Sequence, residues 1–248
     1  HLMCLQETRS TFQGITVCKK YIRCSAAACE GSYGCEIWIS ITKPFYTCNG
    51  RKFFVSFHNV TIIHVSPRLL IISITLSNLK LYVVSAHAPH AISEDRSSWL
   101  QLFKHSMSII PKSKHNTYVG IDANTMFDLT TEYTTVGKIT RRLKASTDSL
   151  ILDEIFRDLS LVPVNTHHNN CSVSYISNPY TYTTPDSLHR MTLDYIIASK
   201  NTGVQPKSVH VTQSLTPTDN DLDHTPLAAS LIPYIDANVN ITKRRVLE

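Results

Sequence analysis

The sequence predicts an α+β domain in which two sheets pack face to face with helices outside. Three observations carry that reading. Short runs rich in Ile, Val, Phe, Tyr and Thr dominate the first third of the chain, strand-like runs return in the second half, and two segments with helical spacing lie between them. The chain has 248 residues, 42% of them hydrophobic and 17% charged, which is a globular composition long enough to bury a large core. Its 7 glycines and 11 prolines are too few for a linker-rich or fibrous protein.

The early strand runs fall at residues 16–22, 36–41, 52–57, 60–65, 68–76 and 80–86. Asn49-Gly50, between Tyr46 and Phe53, is a hairpin signal. Residues 94–107 read as a helix: Ser93 can cap it, Glu94 and Asp95 suit its dipole, and Trp99, Leu102, Phe103 and Ser106 share a face. A strand follows at 117–121. A second helix is predicted over 149–159, capped by Thr147 or Asp148, with Ile151, Leu152, Ile155, Phe156 and Leu159 at helical spacing. Short strands then fall at 180–183, 192–199, 208–211 and 226–232. Residues 127–147 and 165–177 read as loop excursions from a single body. No domain boundary is evident, so 1–235 is expected to form one domain and 236–248 a tail or linker.

Composition narrows the partners. Against 19 Asp and Glu, 24 Lys and Arg leave a formal charge of +5, compatible with a polyanionic partner. The apolar run at 69–76 is broken by Ser73 and Thr75 and is far too short to span a bilayer, so no membrane partner is expected. The first residues lack the basic segment of a signal peptide, and the chain opens on His1, as a fragment or processed product would. Of 7 cysteines, Cys4, Cys18, Cys24, Cys29, Cys35 and Cys48 crowd the N-terminal fifth without C-x2-C pairs, and Cys171 stands apart. Free thiols in a reducing compartment are the expected state.

The informative residues are acids and histidines at strand ends. Met3-Cys4-Leu5-Gln6 ends at Glu7. Tyr118-Val119-Gly120-Ile121 ends at Asp122, with Asn124 on the same side of an extended chain. Leu81 to Ser85 runs into Ala86-His87-Ala88-Pro89-His90. Asp194 shares a strand face with Ile196, where a carboxylate is costly unless paired, and Asp223-His224 supplies a partner before the last apolar run. Each feature alone is ordinary; their combination in this order is specific.

These segments, Leu5-Gln6-Glu7-Thr8, His87-Ala88-Pro89-His90, Gly120-Ile121-Asp122-Ala123-Asn124, Leu193-Asp194-Tyr195-Ile196 and Asp223-His224-Thr225-Pro226-Leu227, resemble the endonuclease/exonuclease/phosphatase superfamily in order and separation from residue 5 to about 232. Tyr180-Thr181-Tyr182 is similar to the aromatic-Thr-aromatic strand of its exonuclease-III-like branch, which includes apurinic endonucleases and the endonuclease domains of non-LTR retrotransposons. The resemblance implies a DNase-type four-layer sandwich, with two mainly antiparallel β-sheets flanked by helices. It implies a Mg²⁺-dependent site (Mn²⁺ as substitute) that cleaves phosphodiesters. Within it, Glu7 matches the metal ligand and Asp223 the acid near the metal. Asp122 matches the acid that orients or deprotonates water, and Asn124 its neighbour at the phosphate. His224 matches the histidine that contacts the phosphate or acts as base, Asp194 the acid that orients it, and His87 the residue where the family places a Tyr or His on the phosphate.

The chemistry needs these residue types. A phosphodiester is an anion that repels hydroxide; a hard divalent ion neutralises it and stabilises the leaving oxygen, and Mg²⁺ prefers oxygen ligands such as Glu7 and Asp223. The nucleophile must lose a proton, and either Asp122 or the His224–Asp194 pair can accept it. Asp194 would fix the imidazole tautomer and stabilise its cation.

The resemblance also implies a strand ending in Asn upstream of Glu7, which this chain lacks; an exposed sheet edge, and a chain whose activity depends on restoring that strand, are the expected consequences. Leu222 and Thr192 stand where the family has Ser and Arg. The first reading is a DNA-nicking retrotransposon-type endonuclease, intracellular and nuclear, fused downstream to a reverse transcriptase. Arg141, Arg142, Lys144 and Tyr182 are its candidate nucleic-acid contacts. The alternatives are a cellular apurinic/apyrimidinic endonuclease and a degenerate non-catalytic remnant. A lipid or inositol phosphatase would need a basic head-group pocket that the sequence does not display.

Overall fold

A computed structural model describes residues 1–48, 50–77, 79–111, 116–127, 137, 146–186, 188–212 and 224–235. Asp223, Arg141, Arg142, Lys144 and the 236–248 tail lie outside the described residues. The chain opens with β1 (Leu2–Gln6), β2 (Gly14–Cys18), β3 (Tyr21–Ala26) and β4 (Cys35–Ser40), which form a four-stranded antiparallel sheet in the order β1-β4-β3-β2. The expected strand at 16–22 is thus two strands: Lys19 takes a positive φ of 35° and the chain reverses there, which a run of β-formers does not reveal.

The hairpin β5 (Tyr46–Cys48) and β6 (Arg51–Phe53) forms where Asn49-Gly50 predicts it, with Tyr46 stacked on Phe53 at 4.5 Å. Next come β7 (Val60–Ser66), β8 (Leu69–Leu76), β9 (Leu79–His87), helix α1 (Arg96–Ser108), β10 (Asn116–Asp122), helix α2 (Thr147–Asp158), β11 (Leu161–Pro163) and the short helix α3 (Val173–Ser177). The two-residue strands β12 (Tyr182–Thr183) and β13 (Arg190–Met191) precede β14 (Asp194–Ser199). The six-stranded sheet runs β11-β14-β10-β9-β8-β7, antiparallel except for the β9–β10 pair. Beyond it, β15 (Gly203–Val204), β16 (His210–Val211), β17 (Leu227–Ala228) and β18 (Leu231–Ile232) pair as two small ribbons in place of the continuous strand expected at 226–232.

The six-stranded sheet is buried on both faces, which is why its strands are almost continuously apolar. Along β8, Leu70, Ile72 and Ile74 enter the core between the sheets with Ile22, Cys24, Ile37 and Ile39, while Leu69 and Ile71 enter the core under the helices. There Trp99, Phe103 and Phe156 pack as a ring cluster, with Trp99 on Phe103 at 5.1 Å and Phe103 edge-on to Phe156 at 6.4 Å. Each such fully buried side chain contributes about 1.5–3 kcal/mol of transfer free energy. The result is the sandwich of mainly antiparallel sheets with helices outside.

Several details depart from expectation. The α1 cap position is Asp95, not Ser93, and Leu102 is 39% exposed while Leu100 and Met107 take the buried face. For α2 the cap is Ser146, whose Oγ accepts the Ser149 N–H at 3.1 Å. Residues 165–177 are no excursion: Asn165, Cys171 and Tyr175 are buried, and Asn165 donates to Tyr175 Oη and the Asp194 carbonyl. All seven cysteines are free thiols, and burial pushes Cys4, Cys24, Cys35 and Cys171 up to about 12, so those four are not reactive thiolates. Among the described residues, no helix is long and apolar enough to cross a membrane.

Candidate active site

Three predicted residues lie side by side because their strands do. Asp122, the last residue of β10, is the register partner of His87 on β9 and of Asp194 on β14. Adjacent strands are about 4.8 Å apart, so the polar ends of three apolar strands form a row. Glu7 reaches that row through sheet-on-sheet packing. Ser85 Oγ donates to the Leu5 carbonyl at 2.9 Å, and Gln6 Nε2 donates to Ser85 Oγ at 3.1 Å and to the Gly120 carbonyl at 3.2 Å. Gly120 is required here: a Cβ would stand 2.5 Å from Cys4 Cβ. So β1 lies directly over β9 and β10, and Glu7 Oε1 stands 3.5 Å from His87 Nε2.

His224 joins from the far end of the chain. Its Nδ1 lies 2.9 Å from Asp194 Oδ2; an ionised carboxylate only accepts, so Nδ1–H is the donor. Its Nε2 then faces Asp122 Oδ2 at 3.9 Å, too far for a hydrogen bond but close enough for one water to touch both. Thr181 holds the pair: its buried Oγ1 accepts the N–H groups of Leu193 and Asp194 at 3.0 Å each, and its carbonyl accepts Thr225 N–H at 2.7 Å. Tyr182, expected as a nucleic-acid contact, lies against His224 with ring centroids 4.9 Å apart and backs that imidazole.

Asn124 sits in the left-handed region at φ 45°, which Asn tolerates better than most residues. Its backbone N–H donates to Asp122 Oδ1 at 2.9 Å, while Nδ2 donates to the Ala88 carbonyl at 2.8 Å and to Asp122 Oδ2 at 3.3 Å. With its side-chain donors so occupied, Asn124 acts on the Asp122 carboxylate rather than outward.

Burial dominates the electrostatics of the site. Burial pushes the Asp122 carboxyl up to about 7, with Asp194 adding to the effect, while His224 and the Asn124 N–H pull it back. Burial, followed by Arg68, His90 and His224, pushes His87 down to about 3, so its imidazole is neutral. These effects outweigh the carboxylates of Glu7 and Asp122, whose oxygens stand 3.5 and 3.7 Å away, beyond hydrogen-bond reach. Side-chain exposure rises from 4% at His87 and 10% at Asp122 to 33% at His224 and 57% at Glu7, so the site opens to solvent between the last two.

A divalent cation fits this donor set. Asp122, Asp194 and His224 each offer an atom within 4.8 Å of the others, and Glu7 stands across His87 from Asp122. The sequence points to Glu7 and Asp223 as ligands; Glu7 stands beside His87 but outside the tight cluster among the described residues, the Asp122–Asp194–His224 group, and Asp223 lies outside the described residues. Two residues at the site escaped the sequence reading, Thr181 as a positioning group and Arg68 beside His87. A basic residue heading an apolar strand, in Ser66-Pro67-Arg68-Leu69, is the same kind of strand-end signal that marks the acids.

No protein-family model matches the chain, and no curated protein sequence matches it. Solved structures do. The endonuclease domain of TRAS1, a telomere-specific non-LTR retrotransposon, aligns over 93% of this chain and 84% of its own, with a TM-score of 0.53 and 14% identity. The catalytic domain of Xenopus laevis APE2 aligns over 94% and 84%, with a TM-score of 0.56 and 12% identity. NExo, a 3'-5' exonuclease from Neisseria meningitidis, aligns over 93% and 89%, with a TM-score of 0.58 and 12% identity. At such identities the likeness is one of fold.

Proposed function

We propose that this chain, which has the endonuclease/exonuclease/phosphatase fold, is a metal-dependent phosphodiester hydrolase that nicks DNA, of the non-LTR retrotransposon endonuclease kind. The observation that carries the reading is the Asp194–His224 hydrogen bond, which turns His224 Nε2 toward Asp122 in a row of strand-end acids. Glu7 would hold the ion together with Asp223, and Mg²⁺, with Mn²⁺ able to replace it, would supply charge neutralisation at the phosphodiester and at the leaving oxygen.

The residues of the chain do the rest. Nδ1–H of His224 is committed to Asp194, so Nε2 carries the lone pair that accepts a proton from water, and Asp194 stabilises the resulting imidazolium. Asp122, held by Asn124, orients that water from its other side. Neutral His87 has its Nε2 directed at Glu7 and Asp122, where it can donate to a phosphate oxygen without adding charge. Arg141, Arg142 and Lys144 are proposed contacts to the DNA backbone. A nuclear site of action and a downstream reverse transcriptase belong to the same reading.

Supercoiled plasmid and labelled duplexes, intact or with one abasic site, test it. Nicking of intact DNA in Mg²⁺ and none in EDTA is the expected result. Cleavage confined to the abasic duplex would favour the apurinic-endonuclease alternative. No cleavage in Mg²⁺ or Mn²⁺ would leave the non-catalytic remnant.

A further inference from the structure

We propose that Arg68, braced on Tyr33, binds a second phosphate of the substrate beside the one that is cleaved, so that the site selects a polynucleotide strand over a small phosphate ester. The proposal rests on the nuclease reading above and names its substrate class.

The first observation is position. The row of strand ends does not stop at His87. The His87 N–H donates to the Arg68 carbonyl at 2.9 Å, next to the Leu69–Ala86 register pair, so Arg68 stands one strand beyond His87 and two beyond Asp122. Asp194, Asp122, His87 and Arg68 therefore occupy four neighbouring strand ends at one level, with the Arg68 guanidinium at one extreme. A substrate strand laid along this row has one phosphate over the acids and the next toward Arg68.

The second is how the guanidinium is held. Its carbon lies 3.6 Å from the Tyr33 ring centroid, and Tyr33 meets the His87 imidazole edge-on at 6.0 Å. Tyr33 is itself fixed between the two sides of the site. Its carbonyl accepts the Arg9 N–H at 2.8 Å, just beyond Glu7, and Gly34 N–H donates to the Pro67 carbonyl at 2.9 Å, just before Arg68. A planar cation stacked on a ring keeps its edge donors for a planar or tetrahedral anion.

The third is what Arg68 does not pair with. Among the described residues Arg23 has Glu36 and Arg96 has Asp148, whereas no carboxylate lies within ion-pair distance of Arg68. Among the described residues its guanidinium makes one hydrogen bond, Nη1 to the His87 carbonyl, which is long at 3.5 Å. A half-buried guanidinium fixed in place with no counter-ion among the described residues, beside acids arranged for a phosphodiester, is suited to an anion brought by the substrate.

The test uses the whole chain, with Arg68→Met, Arg68→Lys and, as a second route to the same platform, Tyr33→Leu. Binding of a labelled duplex in EDTA is followed by fluorescence anisotropy from low to physiological salt, and hydrolysis of the duplex is compared with that of bis(p-nitrophenyl) phosphate. Arg68→Met is expected to weaken duplex binding about tenfold and to reduce the log–log salt slope by about 0.9, the loss of one phosphate contact. Its loss of kcat/KM on DNA should exceed that on the small diester about tenfold, with Arg68→Lys and Tyr33→Leu in between. Unchanged duplex affinity and slope would overturn the proposal, as would equal losses on both substrates, which would make Arg68 a support for His87 only. If the wild type hydrolyses neither substrate, the nuclease reading fails by itself, and the binding arm still decides whether Arg68 takes a phosphate.

Discussion

Gly120→Ala should loosen the contact that sets Glu7 over the catalytic row. The added Cβ would lie 2.5 Å from Cys4 Cβ and 3.2 Å from Cys4 Sγ, on a strand paired on both sides. Neither strand can yield through a rotamer, because the obstructing atom is attached directly to the β1 backbone. Overpacking of this kind costs about 1–3 kcal/mol. For a domain of this size that is roughly 2–12 °C in Tm, at about 2–4 °C per kcal/mol. The sheets must part where Gln6 grips the Gly120 carbonyl, so Glu7 should move from His87 and turnover should fall roughly tenfold or more. Circular-dichroism melts and Mg²⁺-dependent nicking read the two effects. Cys4→Ala in the Gly120→Ala background should recover little, since it relieves the Sγ contact but keeps the nearer Cβ. Cys4→Gly should recover part of both, less about 0.5–1 kcal/mol for a glycine in a strand. A Gly120→Ala protein as stable and active as wild type, or one rescued by Cys4→Ala, would refute this account of the packing.

His224→Ala should lower turnover about a hundredfold or more in plasmid nicking, and Asp194→Asn should cost nearly as much with the fold intact; near-normal cleavage by either contradicts the dyad. Asp122→Asn should abolish nicking yet raise the melting temperature at pH 8, because the carboxyl it removes is held up near 7 by burial and by Asp194 and is ionised there at a cost of about 1–4 kcal/mol. Added Mg²⁺ should stabilise wild type and leave Glu7→Ala almost unmoved, and equal shifts in the two would separate Glu7 from the metal site. Burial opposes ionisation of Glu36, but Arg23, Trp38 and Ser25 outweigh it and hold the carboxyl below its usual range. Its contribution is present above the unfolded pKa of about 4.5 and is lost as pH falls through the lower folded value, so Glu36→Gln should flatten the acid limb of a urea-midpoint profile; an unchanged limb would mean the network contributes nothing.

The candidate site was legible because its residues break local rules. Glu7, Asp122 and Asp194 end or begin runs whose composition calls for apolar side chains, and His87 and His224 stand in the same places on other runs. Such exceptions mark a position before any contact is known. Tyr33 and Thr181 break no rule in sequence, and their parts come from what lies beside them: the Arg68 guanidinium on one, the Asp194 and Leu193 amides on the other. The stretch at 165–177 misled for the opposite reason. Its Ser, Asn and His content reads as loop, yet Asn165 and Tyr175 satisfy one another inside the core, where a polar side chain with a partner is no longer costly.

From the order of residues came the two-sheet class, the helices, and the set of polar strand ends, because hydrophobic period and strand propensity act over a few neighbouring residues. The tertiary structure alone decided which ends meet. Register across β9, β10 and β14 placed His87, Asp122 and Asp194 in line, and the missing side chain of Gly120 let β1 come close enough to bring Glu7. It also gave the imidazole of His224 its orientation, since a hydrogen bond between residues 30 positions apart exists only once the chain has folded back on itself.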